Sequence, residues 1–406
     1  MLILSSLQVS IFDCSNGDYV IYTDYDLPVI NLLNQKIKTS SDRLNIIYNP
    51  SAGDSIWTNA IDASGGLRPF VYNIHLPGTD SFGSGSFSVD IIADMLYQPV
   101  AFGADTLKGF LTCFGEPGTF SYAQTRPKVN GTITFKGITE SVEGTLGHLD
   151  RQWFPLTPLF YSPTGRQRSH EWRQVNLDNC FDLPIWRQFD RTNNNVMIET
   201  TGTTAFGNGS VPTWTNGMPN DLSVEYIRYA KFPRSPNINT LLPPPSPNIY
   251  IATKHIVRSA SLGMEIAGTY VTETPAVNLV IEYFEGPIRW EGTYDGQPVT
   301  GTGIFESTFA IYRHWEFVNV LYNSVDHLAD SSFSPSRTKV QILQAINGIR
   351  QYISSNPLQD NRIAACLYIN DSIIPGLQTM NAGDDKRNML TIAADLNFSL
   401  TLALQF

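Results

Sequence analysis

Polar and apolar positions alternate along most of the first 330 residues, in short runs that Gly, Pro, Asn and Asp interrupt. Alternation with a period of two is typical of strands that bury one face. Two such series are present, one over residues 41–155 and one that begins near residue 195 and extends to Trp315. Because no helical crossover separates these strands, the pattern predicts antiparallel sheets and argues against a parallel α/β fold.

Turn residues predict where the strands reverse. In the first series, Lys136-Gly137 lies between two alternating runs and predicts a hairpin. In the second series, tight turns are predicted at Asp295-Gly296 and at Gly301–Gly303. Regular spacing of strands and turns favours a barrel or a sandwich in each series.

The period of the pattern changes near residue 330. The segment SPSRTKVQILQAINGIRQYISSN predicts a helix after a Ser/Pro start. Its predicted apolar stripe consists of Val340, Leu343, Ile346, Ile349 and Ile353. The last segment, RNMLTIAADLNFSLTLALQF, returns to alternation and predicts a terminal strand. We therefore predict two antiparallel β-domains, residues 1–195 and 196–330, and a small mixed, helix-containing extension over residues 331–406.

The net negative charge of the chain disfavours anionic binding partners. A net charge of −10 disfavours nucleic acid, whose phosphates need a basic face, and disfavours an anionic membrane surface for the same reason. No apolar run reaches the length of a transmembrane helix, so we predict no integral membrane segment. There is no clear signal peptide, but Asn130, Asn208, Asn370 and Asn397 lie in glycosylation-type triplets. Cytoplasmic and secreted locations both stay open, as does the oligomeric state.

Cysteine and histidine usage gives no metal or redox motif. Cys14, Cys113, Cys180 and Cys366 are widely spaced and form no C-x-x-C pair, so disulfides and free thiols are both open. The six histidines are scattered, which makes a metal site hard to build. No dinucleotide or phosphate-binding fingerprint is present. We predict no metal and no cofactor.

The segment GTLGHLDRQWFP, residues 144–155, places several chemically active side chains close together. On a strand, His148, Asp150 and Gln152 share one face. Arg151 and Trp153 take the other face. An imidazole and a carboxyl on one barrel interior can do acid–base work, because burial raises the pKa of a carboxyl and lets it hold a proton near neutrality.

A structural interpretation of the same segment is also open. In it, Asp150 pairs with Arg126 or Arg151 and only orders the mouth of the barrel, since ion-pair networks perturb pKa values as well.

Two further groups of residues suggest other functions. The segment VIEYFEGPIRWEGTYDGQPVTGTGIFEST is rich in carboxylates, which suggests a glycosidase pair or a solvated polar face. Aromatic residues such as Trp57 suggest an apolar ligand inside a barrel or an ordinary core.

The segment YAQTRPKVNGTITFKGITESVEGTLGHLDRQW resembles the signature of the hydroxyneurosporene synthase (carotenoid 1,2-hydratase) and AttH-like family. This family includes kievitone hydratase and fungal pericyclase-type cyclases. The matching positions are Tyr122, Arg126, Gly131, Val142, Gly144, Asp150, Arg151, Gln152 and Trp153. A second family signature is matched by Tyr283, Phe284, Glu285, Gly286, Gly296, Pro298, Val299, Gly301, Gly303 and Glu306. Trp57 matches a tryptophan of an early family strand.

The sequence departs from the family pattern at three places. Phe154-Pro155 follows Trp153 where family members commonly have Gly, and His148 stands where the carotenoid hydratases have a tyrosine. The second signature ends in Glu306-Ser307-Thr308-Phe309 instead of E-T-G-Y.

The resemblance implies an all-β fold of two tandem lipocalin-like antiparallel β-barrel or sandwich domains. It also implies an enzyme that acts on a hydrophobic isoprenoid- or polyketide-like molecule in a pocket between them, by acid-assisted alkene hydration or by cyclisation. Asp150 would be the acid, and His148 and Tyr122 would shape the positions of the proton and the water. The residues implied to bind substrate are Trp153, Arg126, Gln152, Trp57 and Glu306. The alternative is a non-catalytic lipid or terpenoid carrier, because a fold does not fix a function.

Overall fold

The structure is a computed structural model, and it describes most of the chain in separate segments. These are residues 5–26, 37–48, 54–81, 85–95, 99–101, 110–113, 116–153, 168–190, 196–202, 204–207, 212–215, 221–231, 250–271, 283–308, 314–334, 338–353 and 361–403. The statements below concern these residues.

The first half of the chain forms a two-stranded ribbon and one larger sheet. The strands are β1 Ser5–Asp13, β2 Asp18–Asp26, β3 Ile37–Thr39, β4 Asn45–Tyr48, β5 Ser55–Ile61, β6 Leu67–Thr79, β7 Ser86–Met95, β8 Val100–Ala101, β9 Phe110–Cys113, β10 Glu116–Phe135 and β11 Ile138–Trp153. Strands β1 and β2 pair with each other. The first sheet has the order β11-β10-β7-β6-β5-β4-β3, and β8 and β9 also pair with β10.

A second sheet follows. Its strands are β12 Arg168–Leu177, β13 Phe181–Asp190, β14 Val196–Gly202, β15 Thr204–Gly207, β16 Pro212–Thr215, β17 Ser223–Lys231, β18 Tyr250–Ser259, β19 Met264–Tyr270, β20 Tyr283–Tyr294 and β21 Gln297–Thr308. They take the order β16-β15-β13-β12-β21-β20-β19-β18-β17, with β14 beside β13. The pairs of described strands are antiparallel, so the predicted all-β, antiparallel fold class is confirmed.

Strand pairing changes from the first sheet to the second between Trp153 and Arg168, whereas the predicted domain boundary lies at residue 195. Strands β12 and β13 precede that boundary, but β12 hydrogen-bonds to β21 and belongs to the second sheet. The sequence pattern misses this change because alternation shows that a segment is a strand but not which strand it pairs with. The division into domains 1–195 and 196–330 stays a prediction.

Two of the three predicted turns are confirmed. Lys136-Gly137 joins β10 to β11 with φ angles of 48° and 84°, and Asp295-Gly296 joins β20 to β21 with 48° and 71°. Two successive positive φ angles are the mark of a type I′ hairpin turn, which matches the twist of the strands.

The turn predicted at Gly301–Gly303 is wrong, because both glycines lie inside β21. A Cβ atom on Gly303 would lie 1.7 Å from the carbonyl oxygen of Gln174 on β12. The indole Nε1 of Trp290 on β20 donates to that same carbonyl, at 3.0 Å. Glycine is therefore needed here for close approach of an indole and a neighbouring strand, not for a reversal of the chain.

Helices follow the second sheet. They are α1 His314–Asp326, α2 Lys339–Gly348, α3 Arg362–Tyr368, α4 Ile374–Gln378 and α5 Asp384–Ala403, and a π-helical turn, Ile369–Ile373, joins α3 to α4. The strand predicted to reach Trp315 is wrong, since β21 ends at Thr308 and α1 begins at His314. No helix in these described segments is long and apolar enough to cross a membrane.

The predicted helix near residue 340 is confirmed as α2, with a capping box at Thr338. Its buried stripe is set by Ile342 and Ile346, whereas Val340 is 60% exposed. Of the predicted stripe, Ile346, Ile349 and Ile353 are buried in the core and Leu343 packs against it, so the stripe is confirmed except at Val340.

The terminal strand predicted for residues 387–406 is wrong, because this segment contributes to helix α5. Its buried apolar residues follow a helical spacing: Met389, Ile392, Ala393, Leu396 and Leu400. These positions recur every three or four residues, and the apparent alternation came from other apolar residues on the exposed side.

The helical unit and the second sheet are packed together. The core cluster of the helices begins with Phe317 on α1, ahead of the predicted extension at residue 331. Ser324 Oγ on α1 donates to the carbonyl oxygen of Ile227 on β17, at 2.7 Å. The extension is therefore not separate from α1, whose apolar face it covers.

Candidate functional site

Strand β11 divides its side chains between two faces of the first sheet. One face, here called the inner face, carries the apolar cluster of Tyr72, Ala93, Met95 and Leu149. The opposite face, here called the junction face, carries His148, which contacts the second sheet. Because residues alternate along a strand, Asp150 lies on the junction face with His148.

The second sheet offers a row of aromatic and acidic side chains at the junction. Trp186 of β13 pairs with Trp172 of β12, Trp172 pairs with Glu306 of β21, and Glu306 pairs with Glu285 of β20. Directly paired residues point to the same side of a sheet, so the four form one line across it. His170 stacks on Trp186 at 4.3 Å between ring centroids, and its Nε2 hydrogen-bonds Glu306 Oε1 at 2.6 Å.

Asp150 has the electrostatics of an acid that keeps much of its proton near pH 7. Burial raises its pKa to about 7, and the negative charge of Glu306 raises it further in the same direction. The side chain nevertheless counts as exposed by its accessible surface. Both hold for a carboxyl that water reaches but protein surrounds.

His148 is held as a neutral imidazole. Its ring centroid lies 4.9 Å from that of Trp172, and burial lowers its pKa to about 3. Within the described segments neither ring nitrogen has a hydrogen-bond partner. His148 therefore carries one unused donor and one unused acceptor beside Asp150.

Arg126 connects the two sheets and does not pair with Asp150. Its Nε donates to Asp182 at 2.8 Å, and its Nη2 donates to the carbonyls of Leu177 and Phe181 at 2.6 and 3.2 Å. The φ angle of Arg126 is +54°, at a bulge of β10 that turns the side chain toward β12 and β13. Burial raises the pKa of Asp182, and Arg126 opposes that shift.

Arg151 and Tyr122 lie on the inner face, away from Asp150. The Arg151 guanidinium carbon lies 5.2 Å from the ring centroid of Trp57 and 5.8 Å from that of Tyr72. Tyr122 pairs directly with Arg151 and so shares its face. Burial raises the pKa of Tyr122, and Arg151 opposes that shift.

The structure thus brings together only part of the predicted site. Asp150, His148 and Glu306 meet at the junction, and alternation puts Gln152 on the same face. Tyr122 and Trp57 lie on the inner face and Arg126 is bound to Asp182. The Trp153 side chain lies outside the described residues. The arrangement in which Asp150 pairs with Arg126 or Arg151 is not found, because both arginines point elsewhere. The catalytic and binding roles of these residues stay predictions.

Three residues at the junction, His170, Trp172 and Trp186, have no role in the sequence analysis, and Glu285 appears there only as a match to the second family signature. His170 and Trp172 lie on β12, Trp186 on β13 and Glu285 on β20. The run RSHEWRQVNL places His170 and Trp172 on one strand face, which was the available signal. What brings these residues to Glu306 is the pairing of β12 with β21, which the local pattern does not show.

A buried ionic cluster fills the interior of the second sheet. Glu171 lies 2.8 Å from Arg173 and 3.5 Å from Arg187, and the Tyr226 hydroxyl donates to it at 2.6 Å. Burial raises the pKa of Glu171, but the two arginines outweigh it and hold the pKa below its ordinary value. Arg173 also donates to His255 at 3.2 Å. Glu171 pairs with both arginines and accepts from Tyr226, so its buried charge is satisfied and we interpret the cluster as structural.

The carboxylate-rich segment divides its described glutamates between the junction, where Glu285 and Glu306 lie, and the surface. Glu291 is exposed, which fits a solvated face, and Glu282 lies outside the described residues. Among the side chains that the structure describes, no group of three or more His, Cys, Asp or Glu could hold a metal ion. Cys14, Cys180 and Cys366 are free thiols.

Comparison with known proteins gives matches in structure alone. No protein-family profile and no curated protein sequence matches the chain. An AttH-type protein from Nitrosomonas europaea matches with a TM-score of 0.53 at 18% identity, over 76% of this chain and 81% of that chain. Kievitone hydratase from Nectria haematococca matches with a TM-score of 0.47 at 15% identity, over 76% and 80% of the two chains. CghA matches with a TM-score of 0.41 at 10% identity, over 72% and 78%. The match to the Nitrosomonas europaea protein confirms the predicted resemblance at the level of the fold: this chain has an AttH-like fold.

Proposed function

We propose that this protein is an enzyme that hydrates or cyclises an alkene-bearing hydrophobic small molecule, with Asp150 as the proton donor at the junction face. The observation that carries the proposal is the position of the Asp150 carboxyl on the junction face, where it keeps an exposed side and feels the charge of Glu306; burial and Glu306 together raise its pKa to about 7. A general acid works best when its pKa lies near the working pH.

In the hydration reaction, the Asp150 carboxyl gives its proton to one alkene carbon and becomes a carboxylate. The other alkene carbon becomes a carbocation, and the oxygen of a water molecule bonds to it. The extra proton of that water returns to Asp150 or passes to Glu306, so the net change is the addition of one water. In the cyclisation reaction, a second alkene of the same molecule attacks the cation, and loss of a proton to Asp150 leaves an isomer.

The neighbouring residues support both reactions. Glu306 disfavours ionisation of Asp150 before the reaction and stabilises positive charge during it. His170 holds Glu306 in place through the 2.6 Å hydrogen bond. The rings of Trp172 and Trp186 lie in line with Glu306, where their π-faces can stabilise a cation. The neutral ring of His148 has the free donor and acceptor needed to orient a water.

The reaction can be tested without knowing the natural substrate. The purified protein is incubated with a panel of linear isoprenoid and polyketide-type polyenes in ¹⁸O-labelled water, and products are analysed by mass spectrometry. Gain of one labelled water shows hydration, and an isomer of unchanged mass shows cyclisation. Tight binding of a polyene that is recovered unchanged would support the carrier alternative and reject the enzyme proposal.

The charge of Glu306 is expected to raise the pKa of Asp150, so Glu306→Gln should lower that pKa. Burial remains in the variant, so the value should stay above the ordinary 3.8. Carboxyl ¹³C NMR titration of labelled aspartate measures the change directly. Glu291→Gln is the matched control, because Glu291 is an exposed glutamate of the same hairpin. An unchanged Asp150 titration in Glu306→Gln would contradict the electrostatic coupling.

A further inference from the structure

The inner face of the first sheet, as far as the structure describes it, holds a cation without a counter-charge. Within the described segments, Arg151 forms no ion pair, and its guanidinium instead lies over the rings of Trp57 and Tyr72 at 5.2 and 5.8 Å. Its Nη2 is buried and has no hydrogen-bond partner. A guanidinium that is removed from water without an acid is costly, because the lost hydration is not replaced.

Two more N–H donors around Arg151 are also unused. Trp57 Nε1 and Gln124 Nε2 are buried, and neither has a partner among the residues described. Gln124 is fully buried, and its Oε1 accepts a hydrogen bond from the Tyr72 hydroxyl at 3.3 Å. Its amide nitrogen therefore remains as the donor without a partner among the described residues. All three donor residues are thus linked through Tyr72, whose ring also meets Trp57 edge-on at 6.2 Å.

The surroundings of these donors are apolar. Tyr72, Ala93, Met95 and Leu149 form the buried cluster of this face, and half-buried Leu44, Ile74 and Val129 pack against it. The three donor atoms are buried, whereas the side chains of Arg151 and Trp57 are only half-buried, so part of each lies at the protein surface. An apolar surface with unused N–H donors at one place is complementary to a molecule with an apolar body and an anionic acceptor at one end.

The charge of the donor group decides which anion fits. One guanidinium balances one negative charge, and the planar guanidinium matches a carboxylate. A diphosphate would leave further negative charge uncompensated in a chain whose net charge is already −10. We propose that the inner face of the first sheet binds an apolar-tailed carboxylic acid, with its carboxylate on Arg151, Trp57 and Gln124. This site is separate from the junction face, because Asp150 and Arg151 point to opposite sides of β11.

The probe for this site is cis-parinaric acid, a fluorescent polyene carboxylic acid, and its methyl ester is the matched ligand without charge. Fluorescence titration of the full chain should show that the acid binds at least tenfold more tightly than the ester. Arg151→Gln should weaken binding of the acid at least tenfold and leave binding of the ester unchanged. Arg151→Lys keeps the charge but loses the planar guanidinium. Its affinity for the acid should lie between those of the unaltered protein and Arg151→Gln.

Arg68→Gln is the matched control, because Arg68 belongs to the same sheet but is 48% exposed and pairs with Asp94 at 3.4 Å. It should bind the acid as the unaltered protein does. Equal affinity for acid and ester in the unaltered protein would overturn the proposal, and this comparison needs no variant to fold. Tighter binding of dodecyl phosphate than of dodecanoic acid would overturn the choice of a carboxylate.

Discussion

Asp150→Asn is expected to lower turnover by about 10²- to 10⁴-fold while the protein stays folded, because general acid catalysis contributes about that factor. Asn fills the same space and keeps a hydrogen-bonding group, but it has no proton to transfer to an alkene carbon. The measurement is kcat for product formation with the polyene that the labelled-water experiment identifies. Unaltered kcat in Asp150→Asn would show that the pocket enforces substrate shape without protonation.

The pH dependence gives a second readout of the same change. Asp150 donates a proton only below its pKa of about 7, so the activity of the unaltered protein should fall as pH rises through 7. The folded pKa is above the ordinary value of 3.8, so the stability that protonated Asp150 provides is present at low pH and is lost as pH rises from about 3.8 to about 7. Asp150→Asn should therefore be at least as stable as the unaltered protein at pH 8.

Asp94→Asn is the matched control for this variant, since Asp94 is an aspartate of the first sheet that is 39% exposed. It should change neither kcat nor the pH profile. A large loss of stability in Asp150→Asn at pH 8, measured by urea unfolding, would indicate that Asp150 has a structural role instead.

Gly303→Ala is expected to destabilise the protein by about 4 kcal/mol or more, in the range that backbone clashes inside a packed sheet reach. The added Cβ would lie 1.7 Å from the Gln174 carbonyl oxygen and 2.9 Å from Trp290 Nε1. Relief of this clash requires β12 to move from β21 and breaks the 3.0 Å hydrogen bond from Trp290 to Gln174. Because β12 also carries His170 and Trp172, the junction should be disturbed as well.

The control is Gly137→Ala, the same substitution at a turn where no atom lies within 4 Å of the added Cβ. The φ angle of Gly137 is +84°, so this change should cost only the strain of a left-handed residue, about 1–2 kcal/mol. Urea unfolding of both variants gives the comparison. If Gly303→Ala lowers the free energy of unfolding no more than Gly137→Ala does, the close approach of β12 to Gly303 would be contradicted.

Much of the fold followed from local patterns. Alternation predicted antiparallel strands, and the dipeptides Lys136-Gly137 and Asp295-Gly296 predicted two hairpins that the structure confirms. Local patterns failed where a distant contact decides the conformation. Gly303 was assigned to a turn because glycine is common in turns, but it lies in β21 because Trp290 and Gln174 approach it from other strands.

The sequence by itself determined that Asp150 and Arg151 point to opposite faces of one strand, since the period of a strand is two. Only the tertiary structure decided what each face meets. The pairing of β12 with β21 brings His170 to Glu306, and the packing of the two sheets sets Glu306 against Asp150. The register of β10 against β11 places Tyr122 beside Arg151 instead. These contacts depend on strand order and register between segments far apart in the chain, which a local alternation of polar and apolar residues does not encode.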